Sequence, residues 1–357
     1  MHLLNVHTLA LETFSSDIPP YVALSHRWGN REDEVFYQDI MQLSVRRDIV
    51  KKPGFAKILG CCNEAAKNRL SYVWVDTCCI NQMNSVEVQE AINSMWQWYL
   101  ECNRCFVYLS DVRSDQVLDA NDSDFARSQW FKRGWTLQEL LAPAKVIFFA
   151  ADWKKIGRKG HPRVTNRISL VTGIPEQVLL DGDISSLSVA RRLFWASKRE
   201  TTRREDRAYS LMGLFDITMP IIYGGLDNTF VRFQKEIMKT SVDHSIFAWT
   251  VDSASPDITT GLLAPSPAYF MNVDEISYDD FILNFSTRIE AGRALKADYT
   301  STNNGIAISL PMRQVADSVY LAMLRCTLLP ESARPLCIYL QKLAGQRNQW
   351  VRIRIGE

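Results

Sequence analysis

Apolar positions along the first 150 residues fall into two alternating patterns. Short unbroken runs occur at Tyr21–Ser25 (YVALS), Tyr72–Val75 (YVWV), Cys105–Leu109 (CFVYL) and Val146–Phe149 (VIFF). An unbroken run implies burial on both faces, as for a strand inside a parallel sheet. Between the first two runs, Phe55, Ile58, Leu59, Cys62 and Ala66 recur at helical spacing. Between the second and third, Val88, Ile92, Met95, Trp96 and Tyr99 do the same. Pro53 suits the first turn of one helix, and Asn84 or Ser85 the N-cap of the other. The order β-α-β-α-β-α-β predicts an α/β fold, an open parallel sheet flanked by helices, over residues 1–151.

Beyond Asp152 the pattern changes. Helical stretches separated by Gly173-Ile174-Pro175 and Tyr223-Gly224-Gly225 predict a helical extension over 152–249. Pro256, Pro265 and Pro267 follow, then Ile306–Leu310, Leu336–Leu340 and Trp350–Ile355, which alternate as strands do and predict a β-rich C-terminal domain over 250–357. No fixed-period repeat or low-complexity tract is visible.

With 357 residues, 46% of them hydrophobic, the chain can bury a sizeable core without staples. Its net charge of +1 is not the footprint of a dedicated nucleic-acid binder. Met1–Pro20 lacks the basic start and apolar core of a secretory signal. The longest apolar stretch, Leu140–Ala151, contains Pro143 and Lys145 and is too short to span a bilayer. The expectation is a soluble protein without membrane or nucleic-acid partners. Eight cysteines, with adjacent pairs Cys61-Cys62 and Cys78-Cys79, suit a reducing compartment and a cytoplasmic location.

Open parallel sheets bind ligands outside the carboxyl ends of their strands. That rule singles out Ser25-His26-Arg27-Trp28-Gly29, residues 76–82, and Ser110-Asp111. YVALSHRWGN from Tyr21, VWVDTCCINQ from Val73 and RGWTLQELLAP from Arg133 resemble, in order and spacing, the three blocks of HET domains, the fungal heterokaryon-incompatibility family. The stretch from Trp195 (WASKRETTRREDRAYSLMGLFDITMPIIYGG), SIFAWT and GLLAPSPAYF extend the resemblance to about 270 residues. LSHRWGNRED and GWTLQEL are also similar to the first-strand and Trp-Cys-Leu-Asp-Glu-Leu blocks of Toll/interleukin receptor (TIR) domains.

These resemblances imply a cell-death effector of fungal non-self recognition with a TIR-like sheet. In catalytic TIR domains the glutamate of the helix block cleaves the nicotinamide glycosidic bond of NAD, which makes Glu139 the implied catalytic residue. Ser25, Arg27, Trp28, Gly29, Asp76 and Trp135 are then the implied nucleotide-binding residues, with Arg27 on phosphate, Asp76 orienting a ribose or loop, and Trp135 as a wall. One carboxylate suffices chemically, because nicotinamide leaves as a neutral molecule and needs no general acid. NAD would be a substrate, with no cofactor or metal required. Self-association and an upstream receptor are the implied protein partners; the alternative is a non-catalytic, self-associating signalling module. His26 stands where TIR domains commonly carry an aromatic residue, and Tyr223-Gly224-Gly225 lacks an acidic residue that many HET proteins have.

Several residues carry plainer readings. Thr136 and Glu139 fit a capping box, and Arg27 with Asp76 fits a loop-positioning salt bridge. Cys102 and Cys105 have CxxC spacing but no second pair, and Cys78 or Cys79 with His26, which could suggest a thiol nucleophile, reads more plainly as a core cysteine beside an incidental histidine. The basic run from Arg191 to Arg207 is diluted by Glu200, Glu205 and Asp206, as on a solvated helical face. Neither GxGxxG nor a P-loop is present.

Overall fold

Each predicted parallel strand forms where its apolar run lies. A computed structural model describes residues 1–115, 118, 122–225, 228–251, 261–273, 277–278, 299–327, 335–346 and 348–353. The chain divides into two units, Met1–Asp183 with Ser210–Ile221, and Ile184–Tyr209 with Ile222–Glu357. The stretch 152–249, read from sequence as one extension, is therefore shared between them.

In the first unit the elements run β1 (His2–Asn5), β2 (Leu11–Thr13), β3 (Tyr21–His26), α1 (Tyr37–Met41), α2 (Pro53–Lys67), β4 (Tyr72–Val75), α3 (Ser85–Glu101) and β5 (Arg104–Tyr108). Then come α4 (Asp124–Arg127), α5 (Thr136–Leu141), β6 (Val146–Phe149), β7 (Lys155–Arg158), α6 (Pro162–Thr172) and α7 (Glu176–Asp181). They build a seven-stranded sheet in the order β2-β1-β4-β3-β5-β6-β7. The inner four strands are parallel, while β1, β2 and β7 add antiparallel edges, so the sheet is mixed rather than purely parallel. Every residue of β3 is buried, as the unbroken run required.

From β3 the chain crosses to β4 on one side, then returns to β5 on the other. The order of the strands reverses between β3 and β5, the kind of point at which open α/β sheets hold ligands. Helix α2 starts with Pro53 in its first turn. It buries Phe55, Ile58, Cys61, Cys62 and Ala65, whereas Leu59 and Ala66 of the expected stripe are exposed. Asn84 caps α3, its side chain accepting from the amides of Val86 and Glu87.

The second unit contains α8 (Val189–Ser197), α9 (Asp206–Tyr209), α10 (Thr229–Thr240) and a β-rich C-terminal part. Its strands are β8 (Ser277–Tyr278), β9 (Tyr299–Thr302), β10 (Gly305–Ile308), β11 (Met312–Ala316), β12 (Val319–Thr327), β13 (Pro335–Lys342) and β14 (Trp350–Ile353). β9 and β10 form a hairpin; β11 to β14 pair antiparallel in sequence order, with β8 on β12. The expected strands at 306–310, 336–340 and 350–355 correspond to β10, β13 and β14, and Ile355 lies outside the described residues. Gln234 pins the GLLAPSPAYF segment by exchanging two hydrogen bonds with the backbone of Ala264, at 2.7 and 3.0 Å. No helix of the described residues is long and apolar enough to cross a membrane.

Candidate functional site

Alternation along β3 sends the side chains of Ser25 and His26 to opposite faces of the sheet at its carboxyl end. A different polar group forms around each.

The Ser25 hydroxyl donates to the Glu139 carboxylate of α5 and accepts from the indole Nε1 of Trp130 at 2.8 Å. Both partners are buried, Ser25 completely and Glu139 to 4% exposure. Trp130 sits on a 3-10 turn, Gln129–Lys132, fixed at its start by Ser128 and Asp111. Asp111, just beyond β5, accepts from the Ser128 hydroxyl at 2.8 Å and the Gln129 amide at 2.7 Å. The Thr136 hydroxyl lies 2.6 and 2.8 Å from the Trp130 and Arg133 carbonyls. The helix start is Trp135, without a side-chain cap bond. The structure therefore places Thr136 and Glu139 in contacts outside their own first turn rather than in a capping box.

On the other face, the Trp28 indole donates to Asp76 Oδ2 at 2.8 Å. His26 Nε2 stands 3.8 Å from Asp76 Oδ1, too far for a hydrogen bond. Arg133 donates from Nη1 to the His26 carbonyl at 3.2 Å, with its guanidinium 5.6 Å from the Trp28 ring. The loop after β3 is held by Glu34, which accepts from the Gly29 amide at 2.6 Å and pairs with Lys57 of α2 at 2.7 and 2.8 Å. Gly54 is required there: a Cβ would stand 2.6 Å from the Asp33 carbonyl and 2.9 Å from Glu34 Cα. Nothing larger than glycine lets the loop lie that close to α2.

Electrostatics follow from this packing. Burial, reinforced by the charges of Lys57 and Arg133, holds His26 well below its ordinary range, so its ring is neutral. Burial pushes Asp76 up to about 6 against the opposing pull of Arg133, the Trp28 hydrogen bond and Lys57. Burial lowers Lys57, and Glu34 offsets part of that.

The implied site residues thus separate. Ser25 and Glu139 meet on one face, Trp28 and Asp76 on the other, with Gly29 bonded to Glu34. Arg27 is exposed, and the guanidinium brought to Trp28 belongs to Arg133. The expected Arg27–Asp76 salt bridge is replaced by the Trp28 hydrogen bond and the nearby His26. Trp135 is half-buried, and the indole bonded to Ser25 is that of Trp130. Among the cysteines, Cys78 and Cys79 are buried, as are Cys102 and Cys105; the hydrogen bond with Cys79 and burial hold the Cys78 thiol well above its ordinary range, and burial pushes Cys102 up to about 12.

Sequence reasoning missed Trp130, Arg133, Glu34 and Lys57. Lys57 did leave a signal, since it falls in the buried row of α2 with Gly54, Cys61 and Ala65. Arg133 opens one of the quoted blocks, and Trp130 lies three residues before it.

The family described as "Heterokaryon incompatibility protein (HET)" matches residues 21–123, which contain β3, β4, β5 and the whole His26 group except Arg133. The "Vegetative incompatibility protein HET-E-1" of Podospora anserina is 44% identical over 230 residues. That match covers 63% of this chain and 16% of the relative, so this chain spans only a small part of the relative's length. No solved structure matches. Residues 21–123, with the strands that carry the candidate site, thus match the HET family, and the chain is similar over 230 residues to a vegetative incompatibility protein.

Proposed function

We propose that this chain acts in fungal vegetative incompatibility and that its first unit binds and hydrolyses NAD or a related nucleotide, with Glu139 stabilising an oxocarbenium-like ribose. The observation that carries this reading is the meeting of Ser25, Trp130 and Glu139 at the carboxyl end of β3, where the strand order reverses. A carboxylate fixed in a largely dry site offsets positive charge developing on a ribose more strongly than one in water. The resemblance of GWTLQEL to the TIR helix block supports the same residue.

A second reading has its own observation. Glu139 is 4% exposed and tied to Ser25, as suits a strut inside a self-associating, non-catalytic signalling unit. Nicotinamide release from NAD, followed across a protein concentration series with Glu139→Gln in parallel, separates the two. Turnover by the wild type that disappears in a folded Glu139→Gln supports hydrolysis. Assembly without turnover at any concentration supports the signalling unit.

A further inference from the structure

The His26 face carries more polar atoms than its loop uses. Glu34 and Lys57 satisfy each other and hold Gly29. Of the buried side-chain atoms without a hydrogen-bond partner among the described residues, four belong to this group: both ring nitrogens of His26, Oδ1 of Asp76 and Oγ1 of Thr77. The His26 side chain and Thr77 are fully buried. Folded chains leave few such atoms, and this concentration lies at the ends of two adjacent parallel strands, where open sheets take ligands.

Two cations, Lys57 and Arg133, act on His26 and Asp76, and Lys57 is paired with Glu34. Arg133 bonds to the His26 carbonyl, lies over Trp28, and acts electrostatically on His26 and Asp76 alike. A planar guanidinium matches phosphate oxygens in a way that a point charge does not. Asp76, the carboxylate beside it, is pushed up to about 6, so protonation and anion binding there reinforce each other.

We propose that this face is an anion subsite taking the phosphate of a nucleotide, with Arg133 as the phosphate-binding residue and Trp28 as the wall that orients it. The inference rests on the nucleotide reading above and moves the phosphate contact from Arg27 to Arg133.

The test is calorimetric binding to the full chain, in the Glu139→Gln background so that turnover does not consume NAD. The probes are NAD, ADP-ribose, inorganic phosphate, and nicotinamide riboside, which keeps the glycosidic bond but has no phosphate. Arg133→Met should weaken NAD and ADP-ribose by about tenfold or more and leave nicotinamide riboside unchanged. Arg27→Met should alter neither. Should Arg133→Met fail to fold, Arg133→Lys and the salt dependence of binding carry the test, since the affinity for ADP-ribose, which keeps the diphosphate and has no cationic ring, must fall with added salt. Undiminished NAD affinity in the folded Arg133 variants, with NAD turnover intact in the wild type, overturns the subsite and leaves the nucleotide reading standing. Binding of inorganic phosphate without NAD or ADP-ribose overturns the assignment to a nucleotide. A chain that binds no probe and turns over no NAD overturns both.

Discussion

Each unit buries a cation, and the two are stabilised in different ways. In the first, the ammonium of Lys57 is 8% exposed and faces the Glu34 carboxylate, itself 2% exposed, at 2.7 and 2.8 Å. In the second, Arg352 of β14 is 5% exposed, and its guanidinium donates to the Phe247 and Trp249 carbonyls at 2.8 and 2.6 Å, 4.2 Å from the Trp249 ring centroid. Burial lowers Arg352 to about 9. A compact, strongly hydrated ammonium needs a counter-charge once desolvated, whereas a delocalised guanidinium is accommodated by carbonyls and an aromatic face. Lys57 thus works as half of an ion pair that holds a loop, while Arg352 works as a hydrogen-bonding clamp between β14 and the turn at residues 244–247.

The largest expected effect comes from breaking the pair. Lys57→Met leaves Glu34 buried without its partner and should destabilise the first unit by about 3–5 kcal/mol in denaturant unfolding. Adding Glu34→Gln, which retains an acceptor for Gly29, should recover most of that loss. Arg352→Met removes a buried charge together with its hydrogen bonds, and its cost should be smaller, about 1–3 kcal/mol. Equal or reversed costs would break the contrast between the two cations.

The smallest effect is a pH dependence at Asp76. Its folded value, about 6, lies above the ordinary 3.8, so between those values the folded chain binds more protons than the unfolded one. Its contribution to stability therefore falls as pH rises through that window and levels off above it. Unfolding midpoints of wild type minus Asp76→Asn should decline from about pH 4 to about pH 6 and then stay flat. A difference that rises with pH would show Asp76 to be a stabilising carboxylate instead.

The same contrast between units explains what could be read in advance. Strands β3 to β6 were legible because layers on both faces make their runs continuously apolar. The edges β1, β2 and β7 were not, since HLLN, LET and KIGR are short and half-polar. β12, VYLAMLRCT, escaped because its leucine, alanine and methionine serve a helix equally well and its alternation is blurred. Within the site, Ser25, Trp28 and Asp76 were legible because they follow strands. Trp130 reaches Ser25 across 105 residues and Lys57 reaches Glu34 across 23, and spacing along the chain does not encode such meetings. Glu139 stood out only through its block; its contact with Ser25 depends on how α5 is set against β3.

Whether Glu139 serves chemistry or the fold is the central question, and one paired measurement on wild type and Glu139→Gln addresses it: nicotinamide release from NAD together with the unfolding midpoint of the same preparations. A catalytic carboxylate held in a dry site predicts turnover by the wild type, its loss in the variant, and a midpoint that is unchanged or higher. A midpoint that drops in Glu139→Gln, with no turnover from the wild type at any concentration, would contradict that and make Glu139 a strut of the fold.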